Sequence, residues 1–435
     1  MKVSQIFDDS KLENVEKYLN QKLINKNIKD KIKPGMKIAI TGGSRGISHY
    51  KEHMKTVVSF VKECGGVPFI VPSMGSHGGG TSEGQENMLK KLGITKDTVG
   101  CEIISSMDVM EVGRTSKDLP VYIDKNAANA DGIILLNRVK LHTSFRGKYE
   151  SGLIKMMAIG LAKRKGADMT HSLRYENMAN NLLEVGTIAI NNLNIICCIA
   201  SIENGYNEVN DVFVLHKDEI LEEEPKILEK SKHLMSRIYL DDIDVLIVNE
   251  IGKNISGTGV DTNIVGRFHA NDASGGPNAI NLGFLDISEK SGGNANGMGL
   301  ADFISKKFQN KIDFPATYIN AITSTEPNSV KMPLVLDNDK YVFKGNEEQL
   351  YDFLSKEINK FKEIGEVYYS DKLKEKTIYN SSSIKVGLGE EINHYLEFNF
   401  KIENVDKSEY KKIIEDFKNT KRFYNLGNGN FINLD

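Results

Sequence analysis

At 435 residues, with 40% hydrophobic and 26% charged positions, the chain has the composition of an ordinary globular protein and exceeds one core of typical size. Its charges nearly balance at −3, and no block of Lys and Arg is long enough for a nucleic-acid arm or a membrane-surface patch, which leaves a small molecule as the expected partner. The opening MKVSQIFDDSKLENVEKYLNQKL lacks the apolar core of a signal peptide, and no later run reaches the roughly 18 residues of a membrane span, so a cytoplasmic protein is expected.

Short apolar runs then alternate with helical patterns: MKIAIT, MKTVVSFVKECGG, VPFIVPSM, EGQENMLKKLG, CEIIS and ADGIILLN. This rhythm predicts a largely parallel sheet with helices on its faces. Of the four cysteines, at 64, 101, 197 and 198, two lie in the apolar run IICCIA and none are spaced CxxC; they read as small buried hydrophobes, and neither a structural zinc site nor a disulfide framework is expected. The charged helical stretch HKDEILEEEPKILEKSKHLMSR reads as a connector over 216–240. A second series starts at DVLIVNEIG and runs through NLGFLDIS and PATYINAITS to a helix near EEQLYDFLSKEINKFKEI, and NHYLEFNFKI with the helix after it forms a terminal strand and helix that could return to the first lobe. The expectation is an α/β protein of two lobes, 1–215 and 241–435, with largely parallel sheets and a cleft between them.

In open parallel sheets ligands bind beyond the carboxyl ends of the strands. Four glycine-bearing turns fit that position: TGGSRGISH, PSMGSHGGGTSEG, NRVKLHTSFRGKYESG and EIGKNISGTGVDTNIVGR. They carry Arg45, His77, His142 and Arg267 respectively, with Lys155 and His171 just beyond the third. Arg45 reads as a clamp for a carboxylate or phosphate, because its planar fork makes two parallel hydrogen bonds. Lys155 lies inside the apolar run GLIKMMAIGLA, bracketed by Leu153, Ile154, Met156 and Met157. An ammonium there either snorkels to water or, if desolvated, loses its proton, and a neutral amine can bond covalently to a cofactor carbonyl or thiocarbonyl carbon.

PSMGSHGG, the segment from His142 through Lys155, and His171 sixteen residues beyond that lysine together resemble the nickel-dependent lactate racemase family, racemases and epimerases of 2-hydroxyacids that use a nickel-pincer nucleotide. The likeness takes in EIGKNISGTGVDTN and PATYINAITSTEP and spans roughly residues 35 to 335. It implies a pyridinium bisthiocarboxylic acid mononucleotide carrying Ni(II), attached through Lys155 and ligated by His171. His77 and His142 would be the acid/base pair, one taking the hydroxyl proton of the substrate while its Cα hydride moves to the cofactor, and Arg45 would hold the carboxylate. Enzymes that build the cofactor are then implied partners.

The chain departs from that family in places. Members acting on lactate carry DDxTRP, where this sequence has TGGSRG, with Gly42 at an aspartate position and Gly46 at the proline. His142 and Lys155 are thirteen residues apart, where the family has a shorter turn. The family's second-lobe lysine has no counterpart, and Arg267 or His269 would take its place. With Asn254 and Asn263 as further donors, a polar 2-hydroxyacid, an aldonate or a dicarboxylate, is expected over lactate. Two other classes fit some of the residues. A zinc hydrolase could use His77, His142 and His171, without HExxH or an evident carboxylate base. A non-catalytic binding protein could keep the same fold.

Overall fold

Strands β1 (Lys37–Gly42), β2 (Val67–Pro72), β3 (Glu102–Ile103), β6 (Gly132–Arg138), β7 (Ile195–Glu203) and β8 (Val209–Leu215) form one six-stranded sheet in the order β3-β2-β1-β6-β7-β8. Every pairing in it is parallel except β7 with β8. The structure, a computed structural model, describes residues 3–44, 46–172, 178–268, 273–317, 334–337, 340–343, 347–357, 376–379, 384–392, 395–402, 405–418 and 421–434. Two compact units divide it, Met1–Ser329 and Val330–Asp435.

The strands are apolar on both faces because both faces are covered, as parallel sheets require. Ile38, Ile40, Ile134, Leu136, Cys197 and Ile199 point into one core, and Ala39, Ile133, Leu135, Cys198 and Ala200 into the other. On the first side the Tyr50–Glu63 helix buries Tyr50, Met54, Val57, Val58 and Val61, the i, i+4, i+7, i+8 stripe of an amphipathic helix. On the second side lie Met178–Asn192, Ile220–Leu234 and the segment carrying Lys155. The stretch read as a connector is thus a helix that buries Ile220, Ile227 and Leu228 in this core. All four cysteines are free thiols; Cys197 and Cys198 of IICCIA are buried, as expected of small buried hydrophobes, and burial pushes Cys197 up to about 12, while Cys64 is half-buried. A hairpin of β4 (Val109–Arg114) and β5 (Pro120–Asp124) stands beside the sheet.

In the same unit, β9 (Asp242–Val248), β10 (Asn278–Phe284) and β11 (Phe303–Ile304) form a parallel three-stranded sheet over Ile251, Leu282, Phe284, Ile287 and Phe308. Most of PATYINAITS lies outside the described residues. The second unit pairs Ile384–Ile392 antiparallel with Tyr395–Ile402, the NHYLEFNFKI strand, ahead of a Tyr410–Lys418 helix, and stacks Tyr351 on Phe423 at 4.4 Å. Among the described residues no helix is long and apolar enough to cross a membrane.

Candidate active site

The strand order runs outward from β1 through β2 to β3 on one side and from β6 to β7 on the other, so β1 and β6 flank the point where successive connections part. Three loops converge beyond it. A Cβ on Gly43, after β1, would stand 3.3 Å from Met156 Cε and 3.9 Å from Asn137 Oδ1. Asn137, near the end of β6, donates through Nδ2 to Gly152 O at 2.7 Å. The loop after β2 joins the same segment: Gly75 N donates to Gly160 O at 3.1 Å, and a Cβ on Gly160 would come within 2.8 Å of Ser73 O. The turn that bears His77 and the segment that begins with Lys155 are therefore in backbone contact.

His77 opens a turn in which Gly78, Gly79 and Gly80 all have φ between 65° and 69°, a left-handed run that explains GGG there. Its Nδ1 donates to Met74 O at 2.8 Å. The loop hangs from Gln85, whose Nε2 donates to Gly75 O at 2.8 Å and His77 O at 3.3 Å. Gln85 Oε1 in turn accepts from Lys163 Nζ at 3.2 Å, and Lys163 donates also to Pro72 O. Lys163 has no solvent exposure, sits at φ 55°, and stands 3.2 Å from Asp124 Oδ2. Burial pushes Lys163 down and Asp124 up, each against the other's charge. Asp124 keeps two amide donors, Asn126 N at 2.8 Å and Ala127 N at 2.9 Å, which favour its ionised form. Nothing in GLAKRKGAD sets Lys163 apart from the exposed Arg164 and Lys165, so this support was not legible in the sequence.

His142 and Lys155 meet at Phe145. The His142 and Phe145 rings are 4.2 Å apart at 30°, and Lys155 Nζ lies 6.0 Å from the Phe145 centroid. Lys155 is half-buried and ends a helical turn, Leu153–Lys155, that continues as a π-helical turn, Met156–Gly160. Glu224 caps that turn, accepting from Ile154 N at 3.0 Å, and burial pushes its carboxyl up to about 8. A Cβ on Gly152 would fall 2.0 Å from Glu224 Oε1, which accounts for glycine at that position. The His142 loop closes on Glu150, which accepts from His142 N at 2.6 Å, and Ser144 N donates to His142 Nδ1 at 3.1 Å.

Residues of the 261–274 stretch hold this loop from outside. Arg146 donates to His142 O at 2.8 Å, to Ser274 O through Nε and Nη2, and to Asn263 Oδ1, and its guanidinium lies 4.9 Å from the Phe268 ring centroid. Thr262 Oγ1 donates to Thr143 O at 2.6 Å, Asn263 Nδ2 to His142 O at 3.3 Å, and Lys140 Nζ stands 3.4 Å from Asp261 Oδ2. Arg146 carries no sequence signature of this role, since an arginine in a polar turn reads like any solvated one.

The structure thus brings His77, His142 and Lys155 onto touching loops. Arg45 and His269 lie outside the described residues; His171 falls on the Lys163–Ser172 helix, with its side chain also outside. Arg267 forks onto Asp302, with Nη2 2.9 Å from Oδ2, and donates to Ala279 O and Ile280 O. Asn263 is engaged by Arg146 and Asp261, and a side chain on Gly42 would face Leu89 and Ile70 at 3.1–3.2 Å, in the core.

Among the described residues no three or more His, Cys, Asp or Glu gather as a metal cage. A nickel-pincer nucleotide brings its own sulfur and carbon donors and asks of the protein one amine and one imidazole. Lys155, half-buried and flanked by buried Leu153, Ile154, Met156 and Met157, is a residue of the type the amine requirement asks for.

Residues 4–182 match the family model described as the lactate racemase N-terminal domain, and His77, His142, Lys155 and His171 all lie within the matched residues. Residues 328–435 match a model described as bacterial SNF2 helicase associated. No curated protein matches the chain. Among solved structures, the lactate racemase apoprotein from Thermoanaerobacterium thermosaccharolyticum aligns at 13% identity with a TM-score of 0.42. The alignment covers 57% of this chain and spans 63% of the length of that one.

Proposed function

We propose, from a first lobe of lactate racemase type, that this protein is a racemase or epimerase that inverts C2 of a 2-hydroxyacid, with His77 and His142 at the substrate hydroxyl and Lys155 attaching a nickel-pincer nucleotide. The observation that supports this reading best is the shared Phe145 ring, which brings the imidazole of His142 and the amine of Lys155 to one place while the Gly75–Gly160 hydrogen bond adds the His77 turn. When bound, such a nucleotide supplies an acceptor for the C2 hydride and returns it.

The chain's own residues do the rest. Lys155 would hold the nucleotide through its amine, and His171 would be the nickel ligand. A histidine ring within hydrogen-bond reach of the hydroxyl takes its proton at neutral pH, because imidazole titrates there. Arg45 is the proposed carboxylate clamp. A side chain on Gly42 would meet Leu89 and Ile70, Arg267 forks onto Asp302, and Asn263 is engaged by Arg146 and the His142 carbonyl, so a polar acid rests on fewer residues than the sequence suggested; it remains the substrate to try first.

The chain co-expressed with cofactor-building enzymes should epimerise members of a panel of single-enantiomer 2-hydroxyacids (lactate, malate, aldonates) in D₂O, followed by NMR, with little deuterium entering C2 because the hydride returns directly. Rapid exchange at C2 would point to simple proton abstraction, and zinc in place of nickel in the active protein would overturn the reading.

A further inference from the structure

Beyond the end of β1, two side chains present hydrogen-bonding groups that no described residue uses. Tyr50 is buried, and its hydroxyl oxygen accepts from Gly43 N at 2.5 Å. That bond takes a lone pair and leaves the O–H hydrogen, for which there is no acceptor among the described residues. Burial pushes the phenol well above its ordinary 10, so it keeps that hydrogen at neutral pH. Asn137, near the end of β6, lacks the complementary partner. Its Nδ2 donates to Gly152 O at 2.7 Å, and a carbonyl only accepts, so the amide is oriented with Oδ1 toward Gly43. No described residue donates to that oxygen.

Both groups face one niche. A Cβ on Gly43 would stand 3.6 Å from the Tyr50 hydroxyl, 3.9 Å from Asn137 Oδ1 and 3.3 Å from Met156 Cε. Gly43 is outside the left-handed region and its nearest neighbour is the flexible end of Met156, so neither conformation nor packing calls for glycine. Glycine here gives a ligand clearance. The niche also abuts the proposed attachment segment, since Gly152 precedes the Leu153–Lys155 turn and Met156 follows the lysine.

A donor and an acceptor side by side match an aliphatic hydroxyl, which accepts from one and donates to the other. A phosphate or carboxylate only accepts, and would set its charge against Asn137 Oδ1 with no hydrogen between them. The geometry points to a hydroxyl-binding niche made by Gly43, Tyr50 and Asn137, in which Tyr50 O–H donates to a ligand hydroxyl and Asn137 Oδ1 accepts from it. The ligand's identity rests on the proposed function: the ribose of a pyridinium mononucleotide and the carbon chain of an aldonate both carry such hydroxyls.

The test reads binding to the full chain without cofactor, by ligand-observed NMR titration. The probes are nicotinic acid mononucleotide, its dideoxyribose analogue, D-gluconate and L-lactate. Tyr50→Phe removes the donor. Gly43→Ala fills the niche with a methyl group and keeps both polar groups, needing only a few tenths of an ångström from Met156. Each variant should weaken a hydroxyl-rich probe about 3- to 10-fold and leave its hydroxyl-poor counterpart within about twofold of wild type. A loss for the mononucleotide and not for its dideoxy analogue assigns the niche to the ribose; a loss for gluconate and not for lactate assigns it to the substrate. Thermal melts report whether Tyr50→Phe, which strips Gly43 N of its acceptor, stays folded, and Gly43→Ala carries the test if it does not. A niche that holds only water would leave every probe unaffected by the variants, and that result, or a wild type that binds neither hydroxyl-rich probe, would overturn the inference. Hydroxyl selectivity in a chain that, once loaded, is inert on every 2-hydroxyacid would instead overturn the racemase reading and leave the niche standing.

Discussion

Lys163 and Asp124 stand 3.2 Å apart with no exposure on either side chain, and the same lysine holds Gln85, from which the His77 turn is suspended. Removing one member of such a pair leaves an uncompensated buried charge. Lys163→Met or Asp124→Asn should therefore lower unfolding stability by about 3–5 kcal/mol in urea titrations. The double variant Lys163→Met, Asp124→Leu should recover much of that loss, because no charge is then left behind.

Arg146 joins the His142 loop to Ser274 and Asn263 by hydrogen bonds from one guanidinium. Arg146→Ala should cost about 1.5–3 kcal/mol, and amide hydrogen exchange should quicken in 140–147 and 261–276 while β1, β6 and β7 keep their protection. Unchanged exchange in both stretches would show that the fork is not what holds them.

Because of Glu224, stability should fall as pH rises from 4.5 to about 8. Its carboxyl rises from an ordinary 4.5 to about 8 on folding, so between those values the native state holds a proton that the unfolded chain has lost. The slope of unfolding free energy against pH is then negative, and it flattens above about 8. Glu224→Gln should remove that slope in thermal melts from pH 5 to 9 and leave the cap on Ile154 in place.

On the acid side the group to watch is His53. Its Nδ1 donates to His49 O at 2.8 Å, its buried Nε2 has no hydrogen-bond partner among the described residues, and burial holds its pKa below the ordinary 6.5. The unfolded chain protonates first, so stability should drop as pH falls below 6.5. His53→Phe should flatten this limb, and an unaltered limb would assign it to other groups.

Lys155 should carry the cofactor's added mass in the active protein, found on the peptide that contains it. Lys155→Ala and Lys155→Arg should both be inactive and folded, since a guanidinium stays protonated and cannot form the bond. His171→Ala should lower nickel content, whereas His77→Ala and His142→Ala should leave it near wild type. Activity with an unmodified Lys155 would remove the attachment from the proposal.

What the sequence determined by itself is what periodicity and punctuation encode. Two-faced apolar runs required a covered sheet, so β1, β2, β6 and their helices were legible, and glycine-bearing turns after strands marked the loops of His77, His142 and Lys155. These are local signals, set by a residue and its close neighbours along the chain. Tertiary structure alone decided which charged residues are buried and what they hold. Lys163 and Glu224 sit among exposed charges of the same types in GLAKRKGAD and ILEEEPKILEK, and only the packing of their helices against the sheet takes them out of water. It likewise set Arg267 on Asp302 and packed Leu89 where a side chain on Gly42 would stand, because the surroundings of a residue depend on elements far away in sequence.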